Sequence, residues 1–125
     1  MGAVPGRSTR SLECMEHSEF IAMQWKSLAD TLEAFQSGRL GVTEASRKVV
    51  AIRDALGELS NPLFIPFVSV ESETDTFPLD EVRSRWSVQA LSRMDAEREA
   101  AEAFYRPQLI EACGALMSYS NAHAL

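Results

Sequence analysis

The sequence predicts an all-α domain: a helical hairpin, an extended acidic segment, a short helix and a long kinked C-terminal helix. Three observations carry that prediction. Two stretches, 18–37 and 43–56, space their apolar residues by alternating threes and fours, and each is followed by a glycine. A third stretch with the same spacing fills the C-terminal third. Only residues 63–70 have the β-branched and aromatic character of extended chain, and no second stretch offers them a strand to pair with. At 125 residues, 46% of them hydrophobic and 24% charged, the chain is large enough for one core without disulfides or metal.

Residues 1–17 mix Gly, Pro, Ser and Arg with little periodicity and are expected to form a mobile tail, leaving 18–125 as the single helical domain. Ser18 is the expected N-cap of the first helix, with Glu19 in its first turn. Ile21, Trp25, Leu28, Leu32 and Phe35 form one stripe, and Gly38 stops it. The link through Gly41 is short, which favours an antiparallel neighbour. That neighbour carries the matching stripe Val42, Ala45, Val49, Ile52 and Leu56 and ends at Gly57. Pro66 argues against a central strand, so Leu63–Val70 is expected to lie extended over the helices. Phe64, Phe67 and Val70 are expected to plug one end of the hairpin. Pro78 opens a short helix over 79–85, on which Val82 and Trp86 share a face. Ser87 then caps the last helix, whose buried face is expected to begin at Leu91 and Met94. That face resumes at Phe104 and Tyr105, runs through Leu109, Ala112, Leu116 and Tyr119, and is kinked or broken near 103–106 by Pro107.

The net charge of −6 is unevenly spread. Residues 1–57 and 82–125 each balance acid against base, and the whole excess lies in 58–81, where Glu58, Glu71, Glu73, Asp75, Asp80 and Glu81 meet no base. A pI near 4.9 without a basic patch argues against a nucleic-acid binder, because phosphate contacts need clustered Lys and Arg. No apolar run approaches the roughly 18–20 residues that span a bilayer, so no membrane partner is expected. The N-terminus lacks the apolar stretch of a signal peptide, and Gly6 stands where a myristoylation signal needs Ser or Thr; a cytoplasmic location follows as the expectation.

Glu71, Glu73, Asp75, Asp80 and Glu81 form the candidate site, with Trp86 as an apolar anchor beside them. The loop lacks the Asp-x-Asp-x-Asp-Gly layout of a calcium loop. A catalytic carboxylate pair needs one pKa displaced by burial, which a sequence does not show. An acidic docking patch for a basic protein surface needs only the charge itself. The structural alternative assigns Asp80 and Glu81 to a helix dipole and pairs Glu71 or Glu73 with Arg83 or Arg85. His17 and His123 have no acid and nucleophile around them, and Cys14, His17, Cys113 and His123 do not have the spacing of a zinc finger. No cofactor and no metal is therefore expected. Cys113 reads as a small buried hydrophobe, and Trp25 as core or rim.

Pro66-Phe67-Val68, Ser72-Glu73-Thr74-Asp75, Pro78, Val82-Arg83 and Trp86 resemble the motif of a family of small bacterial proteins with no assigned function. The similarity continues through the second helix and into the last, around Tyr105-Arg106 and Ala112-Cys113, and covers roughly residues 28–117. The resemblance implies a bacterial origin and an all-helical fold around the loop, and it implies no chemistry.

The functional expectation is a non-enzymatic partner-binding protein of the immunity or inhibitor type. Its acidic loop would dock on the basic surface of a toxin or enzyme, plugging a cleft that normally receives phosphate. The alternative is a metal-dependent hydrolase that uses Glu71, Glu73 and Asp75. A homodimer is the third expectation, and an exposed apolar face containing Trp25 or Phe104 would mark it.

Overall fold

The computed structural model describes the backbone of residues 3–123 and the side chains of residues 17–123, Asp80 excepted. The domain is all-α. Helix α1 spans Ala3–Gln36, α2 Val42–Leu56, α3 Ile65–Thr74 and α4 Val88–His123, with 3-10 turns at Pro62–Phe64 and Asp80–Arg85.

Helices α1 and α2 form the expected hairpin. Trp25, Leu28, Leu32 and Phe35 from α1 and Val42, Ala45, Val49 and Ile52 from α2 are all buried. Gly38 and Gly57 adopt left-handed φ of 83° and 73°, which ends each helix without a Cβ penalty. Beyond Gly57 the Glu58 amide turns back to the Arg53 carbonyl at 3.1 Å, satisfying an orphan acceptor of the last turn. The first helix starts well before Ser18, which is an exposed position inside α1 and not its cap. The mobility expected of residues 1–17 falls on side chains that, through residue 16, lie outside those described.

The extended segment expected over Leu63–Val70 is helical. Asn61 caps the 3-10 turn, its side-chain oxygen accepting from the Leu63 amide at 3.0 Å. Pro66 then falls in the first turn of α3, where it is compatible with helix. The apolar residues follow helical spacing, since Phe64, Phe67, Val70 and Thr74 all point inward and are at most 1% exposed. They plug the hairpin as expected, but from a helix.

Helix α4 runs unbroken through Pro107, which removes only the bond that the Ala103 carbonyl would otherwise accept. Ser87 is its N-cap, accepting from the Ala90 amide at 3.1 Å. Leu109, Cys113, Leu116 and Ser120 are buried against the hairpin, and the Cys113 thiol donates to the Leu32 carbonyl at 3.4 Å. Phe104 does not join this face. It is 75% exposed, because adjacent helical residues point about 100° apart and Tyr105 takes the inward position. Three further long-range contacts tie α4 to the rest. Glu102 accepts from the Thr43 amide at 2.9 Å, placing a carboxylate at the positive end of α2. The Tyr119 hydroxyl donates to Glu58 at 3.0 Å, and His123 stacks on Trp25 with ring centroids 4.7 Å apart.

Candidate functional site

The acidic segment starts inside α3 and ends at the foot of α4. Two arginines hold it, and neither pairs with Glu71, Glu73, Asp75 or Glu81. Arg47 reaches from α2 to the end of α3, donating to the backbone carbonyls of Thr74 at 2.9 Å and Phe77 at 2.6 Å. These carbonyls lie at and just beyond the C-terminus of α3, where the helix presents unsatisfied acceptors and partial negative charge. Arg83, in the 3-10 turn, forms a two-pronged pair with Asp95 of α4 at 2.7 and 2.8 Å. This fork-to-carboxylate geometry is the strong form of the interaction. The hydrogen bonds and charge of Arg83 pull the Asp95 carboxyl below its ordinary pKa, against a smaller opposing effect of desolvation. Between the two anchors Phe77 and Pro78 are buried, so the chain from Thr74 to Arg83 is fastened at both ends and in the middle.

Glu71 is half-buried, and Glu73, Asp75 and Glu81 are exposed. None of these four takes part in an ion pair within 4.0 Å among the described residues. The pairing of Glu71 or Glu73 with Arg83 or Arg85 that the sequence allows is therefore not formed. Arg83 is engaged by Asp95 instead. The side chain of Asp80 lies outside the described residues.

The acids do not converge. Glu71 and Asp75 are four apart at the end of α3, while Glu73 lies about 200° round the helix from Glu71. Glu81 follows after a turn and lines a separate cleft of about 580 Å³, together with Glu44, Arg47 and Lys48 of α2 and with Leu79 and Val82. No group of three or more His, Cys, Asp or Glu placed to hold a metal ion occurs among the described residues. Among the described residues this is an acidic surface and not a chelating pocket.

Trp86 and Val82 flank the acids and are 39% and 51% exposed. The shared face expected for them belongs to an α-helix; here a 3-10 turn of about three residues per turn carries Val82, and Trp86 follows in extended conformation. Trp25, by contrast, is a core residue at 7% exposure. Cys113 is buried, and burial pushes its thiol pKa up to about 11, which makes it a packing residue and a poor nucleophile. Sequence reasoning missed Arg47. Its signal was limited to a charged residue one position from a buried serine on an amphipathic helix, which an ordinary solvated edge also produces.

No protein-family model, curated protein or solved structure matches this chain, and the motif resemblance of Pro66–Trp86 carries no further argument. None of the described helices is long and apolar enough to cross a membrane.

Proposed function

We propose that this chain is a non-enzymatic partner-binding protein that docks its acidic segment, Glu71 to Trp86, on a basic protein surface in the manner of an inhibitor or immunity protein. One observation carries the reading. Glu71, Glu73 and Asp75 stand in and just after the last turn of α3, which contains no basic residue, and no ion pair compensates them among the described residues. Acid at the negative end of a helix opposes the macrodipole, a cost of at most about 0.3–1 kcal/mol per charge that the Arg47 guanidinium at the same end offsets only in part. A purely structural role would place those acids where they stabilise. The anchors favour the same reading, because a segment fixed by Arg47 and by the Arg83–Asp95 pair loses little further entropy on docking. Exposed Trp86 and Val82 supply apolar contact within the charged rim.

The hydrolase alternative has no comparable support, since Glu73 lies about 200° round the helix from Glu71 and the three carboxylates do not meet at one point.

Two measurements test the proposal. Replacing Glu71, Glu73 and Asp75 by Gln, Gln and Asn should raise the stability of the isolated protein. It should also abolish capture of a basic protein from the native cells that the wild type retains at low salt and releases as salt rises. Lower stability would show the acids to be structural, and equal capture by both proteins would remove the segment from the binding argument.

A further inference from the structure

Helices α3 and α4 leave a groove between them. One end of it, about 330 Å³, is lined by Pro62, Leu63 and Pro66 on one side and by Gln108, Ala112 and Ala115 on the other. Thr74, at the far end of α3, is bonded to Arg47 of α2, and the start of α2 is bonded to Glu102. Helix α3 therefore runs antiparallel to α4, and the groove follows both toward Glu102. On α4, Phe104, Gln108, Glu111 and Ala115 are exposed and succeed one another by four, three and four, so they form one wall. On α3, Pro66, Ser69 and Glu73 succeed one another by three and four and continue the other. Phe104 stands at the open end of this groove, 75% exposed, where an aromatic ring can serve as an interface anchor.

The charges on the walls are all of one sign. Glu73 and Glu111 are exposed, and neither takes part in an ion pair among the described residues. Helix α3 contains no base. The two bases of α4 along this stretch are turned elsewhere, Arg98 to Asp95 at 3.9 Å and Arg106 over the Phe35 ring at 5.8 Å. A chain that settles here meets apolar surface in the middle and carboxylates at both edges, which selects a basic amphipathic occupant. Both walls are helices whose backbone groups are paired along the helix, so an extended peptide would find no backbone partners. A helix brings its own backbone pairing and needs only apolar side chains at the spacing of the walls.

We propose that this groove receives an amphipathic helix of the protein partner, apolar toward Pro66 and Ala112 and basic at its edges opposite Glu73 and Glu111. The inference rests on the docking reading above and names the element that the partner brings to it. It also divides the acids at the end of α3. Glu73 belongs to the groove, whereas Asp75 lies about 200° round the helix, on the far side.

Fluorescence anisotropy on the full chain tests it with a labelled probe, an idealised helix of about 18 residues, roughly 27 Å, with leucines on one face and lysines elsewhere. Two control peptides replace every lysine by glutamate or keep the composition in scrambled order. The wild type should bind the basic helix about tenfold more tightly than either control. Glu73→Lys, Glu111→Lys and Phe104→Ala change exposed side chains, so each should keep its circular dichroism and weaken binding about tenfold. Asp75→Lys makes the same change in net charge from the far side and should stay within about twofold at roughly 0.15 M salt, where charges more than about 8 Å apart are screened. No binding of the basic helix, equal binding of either control, or a loss in Asp75→Lys as large as in Glu73→Lys would each overturn the proposal. So would a wild type that sediments as a dimer and excludes the peptide, which gives the groove to a second copy. Failure of the docking reading is a separate result, read from native capture by the Gln, Gln, Asn variant. Capture lost in that variant but kept in full by Glu111→Lys and Phe104→Ala would retain docking and overturn the helix in the groove.

Discussion

Arg47 gives the sharpest test of how the acidic segment is held. Replacing it with Met keeps most of the aliphatic stem and removes the guanidinium. Two short hydrogen bonds are lost, to the Thr74 carbonyl at 2.9 Å and to the Phe77 carbonyl at 2.6 Å. A hydrogen bond involving a charged partner contributes about 1.5–3 kcal/mol net. Arg47 is only half-buried and water can reach part of the site, so the lower end applies to each, and the two together give about 3 kcal/mol. With a urea slope of about 1.5 kcal/mol/M for a domain of this size, the unfolding midpoint should fall by roughly 2 M. Arg47→Lys should fall between, since both bonds leave the single nitrogen Nη2 and the shorter lysine cannot bring its ammonium to the same point. Lys48→Met makes the same charge change one residue away at an exposed position, and should cost less than about 0.5 kcal/mol. Urea unfolding followed by circular dichroism measures all three. A midpoint shift in Arg47→Met no larger than that of Lys48→Met would refute the clamp and show that water satisfies both carbonyls.

Three further outcomes are expected. Asp95 has its pKa lowered by Arg83, so its contribution to stability is complete above the ordinary carboxylate pKa and is lost as pH falls through the lowered value. The stability advantage of wild type over Asp95→Asn, followed by thermal unfolding from pH 7 downward, should therefore shrink only below about pH 4; parallel curves down to pH 2 would contradict this. Cys113, with a thiol pKa of about 11 and a buried side chain, should resist alkylation at pH 8 until denaturant is added, as peptide mapping by mass spectrometry would show; equal labelling with and without denaturant would place it at the surface. Phe67→Ala should destabilise by about 3–5 kcal/mol in chemical unfolding, because its ring is wholly buried at the junction of α3 with the hairpin; a loss under 1 kcal/mol would mean that the junction collapses around the cavity.

The hairpin is legible in the sequence because its information is local. Each stripe repeats over several turns and each stop is a glycine whose φ only glycine adopts easily, so no distant contact is needed to read it. The cap of α4 at Ser87 is legible for the same reason. Helix α3 is not, because its composition and its periodicity disagree. β-branched and aromatic residues suggest extended chain, and Pro66 suggests a break, yet Phe64, Phe67, Val70 and Thr74 recur by three and four. Burial of that face decides the conformation, as tertiary context commonly overrides propensity. Phe104 is misplaced when two adjacent aromatics are given one face of a helix. In the candidate site the acids and Trp86 can be named from sequence, but the divergence of the acids round the end of α3 follows from a helix that the composition conceals. Arg47 is illegible in principle, since its partners are backbone carbonyls some thirty positions away, which no side-chain pattern announces.

The bond from the Thr43 amide to Glu102 spans 59 positions of sequence. Its consequence concerns the order of events during synthesis. The hairpin emerges from the ribosome first, carrying both of its apolar stripes, but the start of α2 lacks its acceptor until Glu102 has been added. The Leu32 carbonyl waits for Cys113, and Glu58 waits for Tyr119. A nascent chain that stalls before α4 thus lacks the side chains of Leu109, Cys113 and Leu116 that cover the hydrophobic groove of the hairpin. Completion of the last helix, rather than of the hairpin, is the step that supplies Glu102, Cys113 and Tyr119 and closes that groove.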